Sequence, residues 1–402
     1  MNDKNKHPRL TVLLAVWIIM TIFLLEGGLW IIHPLPMYPY GTRAVFHQTM
    51  PGVAPEFVFE RNMFGLRSLS MANATTTAKP ARTIRIICVG GSTTALENQA
   101  TSNTWYGILE RELNQAIASS GLTIQIAAYG RSGNKAFETC EWINRNLLPF
   151  EPDVVVTLLG INDMCWHDGS KPYDTATIEA DIERPVESPF RSHLRIFSQT
   201  YRHLSYTAYV RRQRAKVKSG QAVIWNTQKI PILRAKYRKY PYAETVERNP
   251  DPILDFTVQV NRILDFLGSN KVAAVVMAQP TLWKATMSDD EIGRLWFHIA
   301  TTNGNRRPST AWAANEMSRY NAVQKTVAER HNATFIPLDL LVPHNTSTFF
   351  DDCHYTDSGN RRMATQIRPY LYKIAASVAQ RKFGIALPEN RELAPNDREA
   401  LK

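Results

Sequence analysis

Residues 84 to 98 read IRIICVGGSTTALEN, an apolar run that ends abruptly in two glycines and a serine. The β-branched run from Ile84 to Val89 is too short for a helix and is typical of a buried strand. Gly90 and Gly91 allow a sharp turn or a close approach of the backbone to another group. Ser92 then stands just past the carboxyl end of the strand, where open α/β sheets bind their ligands. The alternative is that Ser92 caps the N-terminus of a helix.

The same alternation of a buried strand and an amphipathic helix continues along the chain. Predicted strands cover Ile84–Val89, Ile124–Ala128, Val154–Leu159, Val272–Ala278 and Thr334–Leu338. Predicted helices cover Trp105–Ile117, Phe137–Leu147, Ile253–Leu267, Glu316–His331 and Ser358–Ala379. Strands such as VVVTLL are apolar on both faces, as buried parallel strands require. The sequence therefore predicts an α/β fold: a doubly wound, flavodoxin-like parallel sheet of about five strands with helices on both faces.

The N-terminus carries an apolar run that is long enough to cross a bilayer. Residues 10 to 32 would extend roughly 34 Å as a helix, although Glu26 interrupts them. Lys4, Lys6 and Arg9 precede the run. The positive-inside rule therefore predicts a single-pass signal anchor with a cytoplasmic N-terminus and an extracytoplasmic (periplasmic or extracellular) remainder. A cleaved signal peptide is the alternative, but the run is long for one and no small-x-small cleavage site is evident.

Composition and the position of proline-rich stretches divide the chain into predicted parts. With 44% hydrophobic and 21% charged residues, the chain has the composition of a globular protein rather than a disordered one. Residues 1–33 form the cytoplasmic tip and the anchor, and the proline-rich residues 34–81 form a stalk or linker. Residues 82–386 form the α/β domain, with a helical insertion at about 166–250, and residues 387–402 form a loose tail.

The positive charge is concentrated in the insertion. The net charge of the chain is +11, and residues 191–239, hereafter the basic segment, hold 13 Lys and Arg residues and no Asp or Glu. We expect this segment to contact an anionic surface, either the membrane or an acidic envelope polymer, because it offers its charges no acidic partner. A solvated helical face is the alternative. Nucleic acid is not expected as a partner, since the domain is predicted to lie outside the cytoplasm.

Three further loops at predicted strand ends carry polar motifs. The loop YGRSGNKAF contains Gly133, the loop GIND contains Asn162, and the DDCH motif places Asp351 three residues before His354. Each loop has a structural explanation when it is taken alone, because glycines form turns, Asn-Asp pairs cap helices and carboxylates are often solvated. In a parallel sheet, however, all of these loops gather at one edge, beside Ser92.

This ordered set resembles the SGNH hydrolase (GDSL esterase/lipase) superfamily, as a membrane-anchored member, over residues 82–165 and 251–378. VGGSTT matches the nucleophile block, although Gly91 and Thr93 replace its usual Asp and Leu. GRSGN matches the glycine block, although Ala128 stands where an asparagine is common. GIND and DDCH match the asparagine block and the Asp-x-x-His block.

The resemblance implies a Ser-His-Asp mechanism without a cofactor or a metal ion. Ser92 would be the nucleophile and His354 its general base, while Asp351 would orient His354 and stabilise its charged form. The backbone N–H groups of Ser92 and Gly133 and the side-chain amide of Asn162 would form the oxyanion hole.

Some neighbouring residues are expected to be structural. Asp163 is expected to cap the loop after Asn162. The four cysteines include no C-x-x-C pair, which argues against a structural zinc site. Cys165 and Cys353 adjoin the predicted site, either as buried free thiols or as a disulfide, which an extracytoplasmic location permits.

The sequence thus predicts an extracytoplasmic serine esterase of the SGNH type. Its substrate would be an acylated small molecule, glycan or lipid, and an O-acyl ester such as an O-acetyl group on a cell-envelope glycan is the leading hypothesis. An acyltransferase is the nearest alternative, because the same acyl-enzyme can pass its acyl group to a sugar hydroxyl instead of water. A lipase and a catalytically silent envelope scaffold are further alternatives.

Overall fold

The computed structural model describes residues 7–32, 44–47, 50–62, 64–74, 76–167 and 229–388, together with isolated positions between 194 and 211. Several parts of the chain lie outside the described residues: residues 1–6, most of the predicted insertion, most of the basic segment within it, and nearly all of the predicted tail.

The described residues form short and long elements in a largely alternating order. The strands are β1 (Ala44–His47), β2 (Glu56–Phe59), β3 (Thr83–Gly90), β4 (Thr123–Gly130), β5 (Val154–Leu158), β6 (Tyr242–Ala243), β7 (Ala273–Met277), β8 (Arg307–Pro308) and β9 (Thr334–Ile336). The helices are α1 (His7–Ile32), α2 (Ser92–Ala95), α3 (Trp105–Ala116), α4 (Ala136–Asn146), α5 (Ile161–Trp166), α6 (Lys229–Tyr237), α7 (Ile253–Ser269), α8 (Asp289–Arg294), α9 (Thr310–Arg330), α10 (Leu338–Leu341) and α11 (Asp357–Phe383). Three 3-10 turns cover Thr101–Asn103, Ala118–Ser120 and Leu148–Phe150.

Five parallel strands form the central sheet, in the order β4-β3-β5-β7-β9. All residues of β3 and β5 are buried, as expected for β-branched strands that helices cover on both faces. Gly90 at the end of β3 pairs with Gly130 of β4 and with Leu158 of β5, so these three strands finish at the same level. The predicted doubly wound, flavodoxin-like sheet is confirmed.

Two groups of helices cover the sheet. α3 packs against α11, and α7 packs against α4 and α9. In α3, Trp105, Leu109 and Leu113 recur every fourth residue and form one buried apolar stripe. α9 begins well before its predicted start at Glu316, because the Ser309 hydroxyl caps the helix by accepting a hydrogen bond from the backbone N–H of Trp312.

Residues 50–74 correct the predicted stalk. Leu66, Arg67 and Met71 are buried in the domain, and Arg67 forms an antiparallel bridge with Ala128 at the outer edge of β4. An extended stalk would leave these side chains in solvent, so this part of the predicted stalk belongs to the packed domain. Its polar residues show no periodic pattern, which is why the sequence suggested a linker.

The N-terminal helix α1 differs from the other helices in its surroundings. Within the described residues, it is the one helix that is long and apolar enough to cross a membrane: the window Val12–Leu29 has a mean hydropathy of 2.3, and none of it is buried in the protein. Glu26 accepts hydrogen bonds from the Ser198 hydroxyl and the Thr200 backbone N–H, both at 3.0 Å. The polar interruption of the apolar run therefore has partners within the chain.

Candidate active site

Ser92 is the first residue of α2, directly after the two glycines that end β3. A Cβ atom on Gly90 would lie 2.4 Å from the Leu158 carbonyl oxygen, and one on Gly91 would lie 2.5 Å from Asn162 Nδ2. The backbone contact requires glycine at position 90, whereas a Cβ at position 91 would displace the Asn162 side chain. The N-cap of α2 is Gly91, so the interpretation of Ser92 as a helix cap is wrong.

A buried arginine from the supposed stalk holds the turn that follows Ser92. The Arg67 guanidinium donates to the carbonyl oxygens of Ala95, Leu96 and Gln99 at 2.7, 2.6 and 2.6 Å. Burial lowers the pKa of Arg67 from its ordinary value. Ala95 ends α2, and Leu96 and Gln99 lie in the turn that follows, so Arg67 fixes the segment directly after the serine.

Ser92, His354 and Asp351 are brought together as predicted. His354 Nε2 lies 2.7 Å from Ser92 Oγ, and His354 Nδ1 lies 2.9 Å from Asp351 Oδ1 and 2.8 Å from Oδ2. The three residues are 6%, 4% and 0% exposed, respectively. In this arrangement the imidazole can remove the proton of the serine hydroxyl as the serine attacks, while the carboxylate stabilises the charged imidazole.

The Asp351 carboxylate is held by several donors at once. Its Oδ1 accepts from the backbone N–H groups of Cys353 and His354 at 3.1 and 2.9 Å, and its Oδ2 accepts from the Trp296 indole at 2.9 Å. Burial alone would raise the pKa of Asp351, but the charge of His354 and these hydrogen bonds hold it below its ordinary value. The Asp351 carboxylate therefore favours its ionised form although solvent does not reach it.

The adjacent Asp352 has a different environment. Its Oδ2 accepts from the backbone N–H groups of Trp296 and Phe297 at 2.8 and 3.2 Å, and its Oδ1 accepts from the Trp283 indole at 3.0 Å. Burial and the neighbouring Asp351 charge raise the pKa of Asp352 to about 7. Of the two carboxylates in DDCH, Asp351 thus contacts His354, whereas Asp352 ties down the loop that carries Trp296.

Aromatic rings enclose the His354 imidazole. The Phe350 and Trp296 rings lie nearly parallel to it, at 12° and 7°, and the Phe297 ring presents its edge. The sequence analysis missed Trp296, Phe297 and Asp352. No short-range signal marks the two aromatic residues, because their loop lies more than fifty residues before DDCH.

Gly133 lies in the tight loop between β4 and α4. Its φ of +86° is in the left-handed region that favours glycine. Arg131 and Asn134 hold this loop: the Arg131 N–H donates to the Gly90 carbonyl at 3.3 Å, and the Asn134 N–H donates to the Arg131 carbonyl at 3.1 Å. The predicted oxyanion residue Gly133 is thereby tied to the end of the strand that carries Ser92.

Asn162, the third predicted oxyanion residue, lies in the first turn of α5. Its Nδ2 donates to the Asn134 carbonyl at 2.7 Å, and its Oδ1 accepts from the Trp166 indole at 3.0 Å. Because Trp166 is a donor only, it fixes which end of the amide carries the N–H groups. The amide N–H groups lie beside the nucleophile turn, because Asn162 Nδ2 would be 2.5 Å from a Cβ atom on Gly91. Trp166 is a further residue that the sequence analysis missed.

Asp163 has the structural role that its position suggested, although its target is the neighbouring loop. Its carboxylate oxygens accept from the backbone N–H of Ala136 at 2.9 and 3.1 Å. Burial raises the pKa of Asp163 to about 7, against the opposing effect of this hydrogen bond. Asp163 thus fastens the Gly133 loop to the Asn162 turn.

A small cleft of about 10 Å³ opens beside the nucleophile. It is lined by Ser92, Glu97, Asn98, Ser132, Phe350 and His354. Its rim is polar: Glu97 accepts from the Arg61 guanidinium at 2.8 Å and from the Ser132 hydroxyl at 3.3 Å. A cavity of this volume holds about one water molecule.

The cysteines and the triad also raise the question of a metal ion. Asp351, Cys353 and His354 offer three ligand atoms within 4.8 Å of one another. However, His354 Nδ1 and Asp351 already share a hydrogen bond, and burial raises the pKa of Cys353 well above its ordinary value, which disfavours the thiolate that a metal needs. These atoms suit a catalytic triad better. Cys165 and Cys353 are both buried and free, the first of the two predicted alternatives.

A serine, a histidine and an aspartate in hydrogen-bond contact at the carboxyl edge of a parallel sheet define a serine hydrolase. Residues 88–362 match the model of the GDSL-like Lipase/Acylhydrolase family, which covers more than half of the chain. The chain therefore belongs to this family and is a serine ester hydrolase, which confirms the predicted resemblance.

Solved structures that resemble this chain include two acetylxylan esterases and TesA. Axe2, an acetylxylan esterase from Geobacillus stearothermophilus, is 13% identical over 72% of this chain and 94% of its own, with a TM-score of 0.38. The acetyl xylan esterase AlAXEase is 14% identical over 72% and 100%, with a TM-score of 0.40. TesA is 12% identical over 72% and 99%, with a TM-score of 0.39. A comparison with curated proteins found no match.

Proposed function

We propose that this protein is a membrane-anchored, extracytoplasmic esterase that hydrolyses O-acyl esters, chiefly O-acetyl esters, of a cell-envelope glycan. The observation that carries the proposal is the contact of 2.7 Å between His354 Nε2 and Ser92 Oγ, with Asp351 behind the imidazole. It occurs in a family of acylhydrolases, so the ester bond is the expected target.

In the first half of the reaction, Ser92 Oγ attacks the ester carbonyl while His354 Nε2 takes its proton. The carbonyl oxygen becomes negative and accepts hydrogen bonds from the Ser92 and Gly133 N–H groups and from the Asn162 amide. Each such donor lowers the barrier by about 3 kcal/mol. His354 then returns the proton to the leaving alcohol, and an acyl group remains on Ser92.

In the second half, His354 takes a proton from water as the water attacks the acyl-Ser92 carbonyl. His354 returns this proton to Ser92 Oγ as the bond to the acyl group breaks and the carboxylic acid leaves. A sugar hydroxyl in place of this water would give acyl transfer instead. Analysis of products in the presence of a deacylated glycan separates the two: free acid supports the esterase, and a newly acylated glycan supports the alternative.

The cleft beside Ser92 supports a small acyl group and a polar alcohol. About 10 Å³ next to Phe350 leaves no room for a long acyl chain. Glu97 and Ser132 on the rim can bond to hydroxyl groups, whereas a lipid would be better matched by an apolar rim.

The location rests on α1 and on the basic segment. We infer that α1 is retained as an anchor, with the N-terminus in the cytoplasm, and that the basic segment contacts an anionic surface. Each basic residue near an anionic leaflet contributes roughly 1 kcal/mol, and salt weakens this contribution. A chain without residues 1–33 should therefore bind anionic vesicles and not neutral ones. Its binding to anionic vesicles should weaken at high salt, and also when Gln replaces the five basic residues Arg211, Arg212, Arg214, Lys216 and Lys218. Equal binding to both kinds of vesicle would contradict this contact.

The function is tested with the full-length protein in detergent and a panel of p-nitrophenyl esters and O-acetylated oligosaccharides. We expect acetyl esters to react fastest, octanoyl esters hardly at all, and Ser92→Ala to be inactive. Ser318→Ala is the matched control, because this hydroxyl lies on the exposed face of α9 and bonds only locally to Ala314. Failure of the wild type to hydrolyse any ester, or turnover by Ser92→Ala, would refute the proposal.

A further inference from the structure

Trp296 touches both members of the acid–base pair. It lies in the segment between β7 and α9, and it is buried against the DDCH turn. Its indole Nε1 donates to Asp351 Oδ2 at 2.9 Å, while its ring lies parallel to the His354 imidazole at 7°, with the ring centroids 6.4 Å apart. Within the described residues, Trp296 and His354 are the two side chains that donate to the Asp351 carboxylate.

Trp296 is itself held in place by the second carboxylate of the motif. Asp352 accepts from the backbone N–H groups of Trp296 and Phe297, so the peptide before the indole cannot drift away from the turn. From the other side, the Arg234 guanidinium donates to the Phe350 carbonyl at 3.3 Å and to the Arg294 carbonyl at 3.0 Å. Two anchors thus link this segment to the residues on both sides of Asp351.

We propose that Trp296 is a positioning residue for the catalytic acid. Its indole N–H fixes the rotation of the Asp351 carboxylate, and Asp352 keeps the indole within reach. This inference rests on the proposed esterase function. The physical reason is that Asp351 is fully buried, so when Oδ2 loses one of its two donors, no water replaces it and His354 is the donor that remains.

The charged and titratable groups that face Asp351 are His354, Asp352, Cys353 and Arg234. None of them is altered when Trp296 becomes Phe. The carboxylate that loses the indole N–H then depends more on His354, which favours the protonated imidazole. The acid limb of the activity profile, where the base must lose its proton, should therefore move to higher pH.

The test compares Trp296→Phe with Trp283→Phe in the full-length protein. Both changes remove a buried indole N–H from an aspartate of the same turn, but the Trp283 indole donates to Asp352, at 3.0 Å, and not to Asp351. In Trp296→Phe we expect kcat to fall about tenfold at nearly constant KM, with an acid limb at higher pH. In Trp283→Phe we expect a lower melting temperature and an unshifted acid limb.

Circular dichroism at each pH limits the comparison to the range in which the variants are folded, because acid unfolding would also move the acid limb. If Trp296→Phe does not fold, Trp296→Leu tests the same lost N–H, because leucine also carries no side-chain donor. An unshifted limb in the folded Trp296 variant, or equal shifts in the Trp296 and Trp283 variants, overturns the inference. A wild type without esterase activity, in contrast, refutes the proposed function itself.

Discussion

The two halves of the site are held in place by different means. The nucleophile half consists of Ser92, Gly133 and Asn162, and close approaches fix it. A Cβ on Gly90 would meet the Leu158 carbonyl of β5, and one on Gly91 would meet the Asn162 amide. The acid–base half consists of the DDCH turn, which side chains from remote parts of the chain, Trp296 among them, hold from outside. Glycines in the sequence predict the close approaches of the nucleophile half, whereas no local sequence pattern predicts the distant contacts of the acid–base half.

This difference separates the predictions as well. Changes in the nucleophile half should act through the geometry of a few backbone atoms. Changes around the acid–base half should act through hydrogen bonds and charge, and therefore through pH.

The largest loss of activity is expected when the contact between the two halves is removed, because Ser92 and His354 act as one unit. Ser92→Ala and His354→Ala, one from each half, should each reduce kcat about 10⁴-fold or more, since the base has no function without the nucleophile. The double variant should lose little more than either single variant. Turnover of p-nitrophenyl acetate, with circular dichroism as the control for folding, provides the measurement. Near-wild-type activity in either folded variant would eliminate the mechanism.

A smaller loss is expected within the nucleophile half. Asn162→Ala removes one oxyanion donor and should lower kcat by about 10²- to 10³-fold. Gly91→Ala should have an effect in the same direction, because its Cβ would lie 2.5 Å from Asn162 Nδ2 and would displace that amide. The two losses should not add, since both act on the same donor.

Kinetics of the two single variants and the double variant settle this point. If Asn162→Ala were as active as the wild type per folded molecule, the asparagine would be only a turn residue. If Gly91→Ala and Asn162→Ala added fully, the two residues would act separately.

The sheet could be predicted well from the sequence because each strand is defined by a short run of neighbouring residues. Each strand, such as Val154–Leu158, is a β-branched run that must be buried on both faces, and parallel strands bring their loops to one edge whatever the loops contain. The triad followed from the ordered motifs for the same reason.

The remaining features depend on contacts between distant residues. Trp296 reaches Asp351 across 55 positions, and Arg67 reaches Ala95 across 28, so neither pairing leaves a periodic or motif-like signal. The polar segment around Arg67 therefore suggested a stalk, although it supports the nucleophile half. Most of the basic segment lies outside the described residues, and its contact with an anionic surface stays a prediction.

The smallest expected effect concerns one buried carboxyl group in each half. Asp163 in the nucleophile half and Asp352 in the acid–base half both have a pKa raised to about 7, in the first case mainly by burial and in the second by burial and the adjacent Asp351 charge. Asp352 adjoins Asp351 and holds the Trp296 backbone, so replacing the Asp352 side chain itself would alter the position of Trp296 as well as the stability. Asp163 allows the stability effect to be measured alone.

For Asp163, the sign follows from its two states. The unfolded chain releases this proton near pH 4, its ordinary value, and the folded protein near pH 7. Between these values the folded protein binds more protons, so its free energy of unfolding falls as pH rises, and above pH 7 this contribution is constant. Asp163→Asn keeps an oxygen for the Ala136 N–H but cannot ionise, so its stability relative to the wild type should improve from pH 4.5 to 7.5. Urea unfolding of both proteins at these pH values tests this, and a difference that does not change with pH would show that Asp163 is not a buried acid of raised pKa.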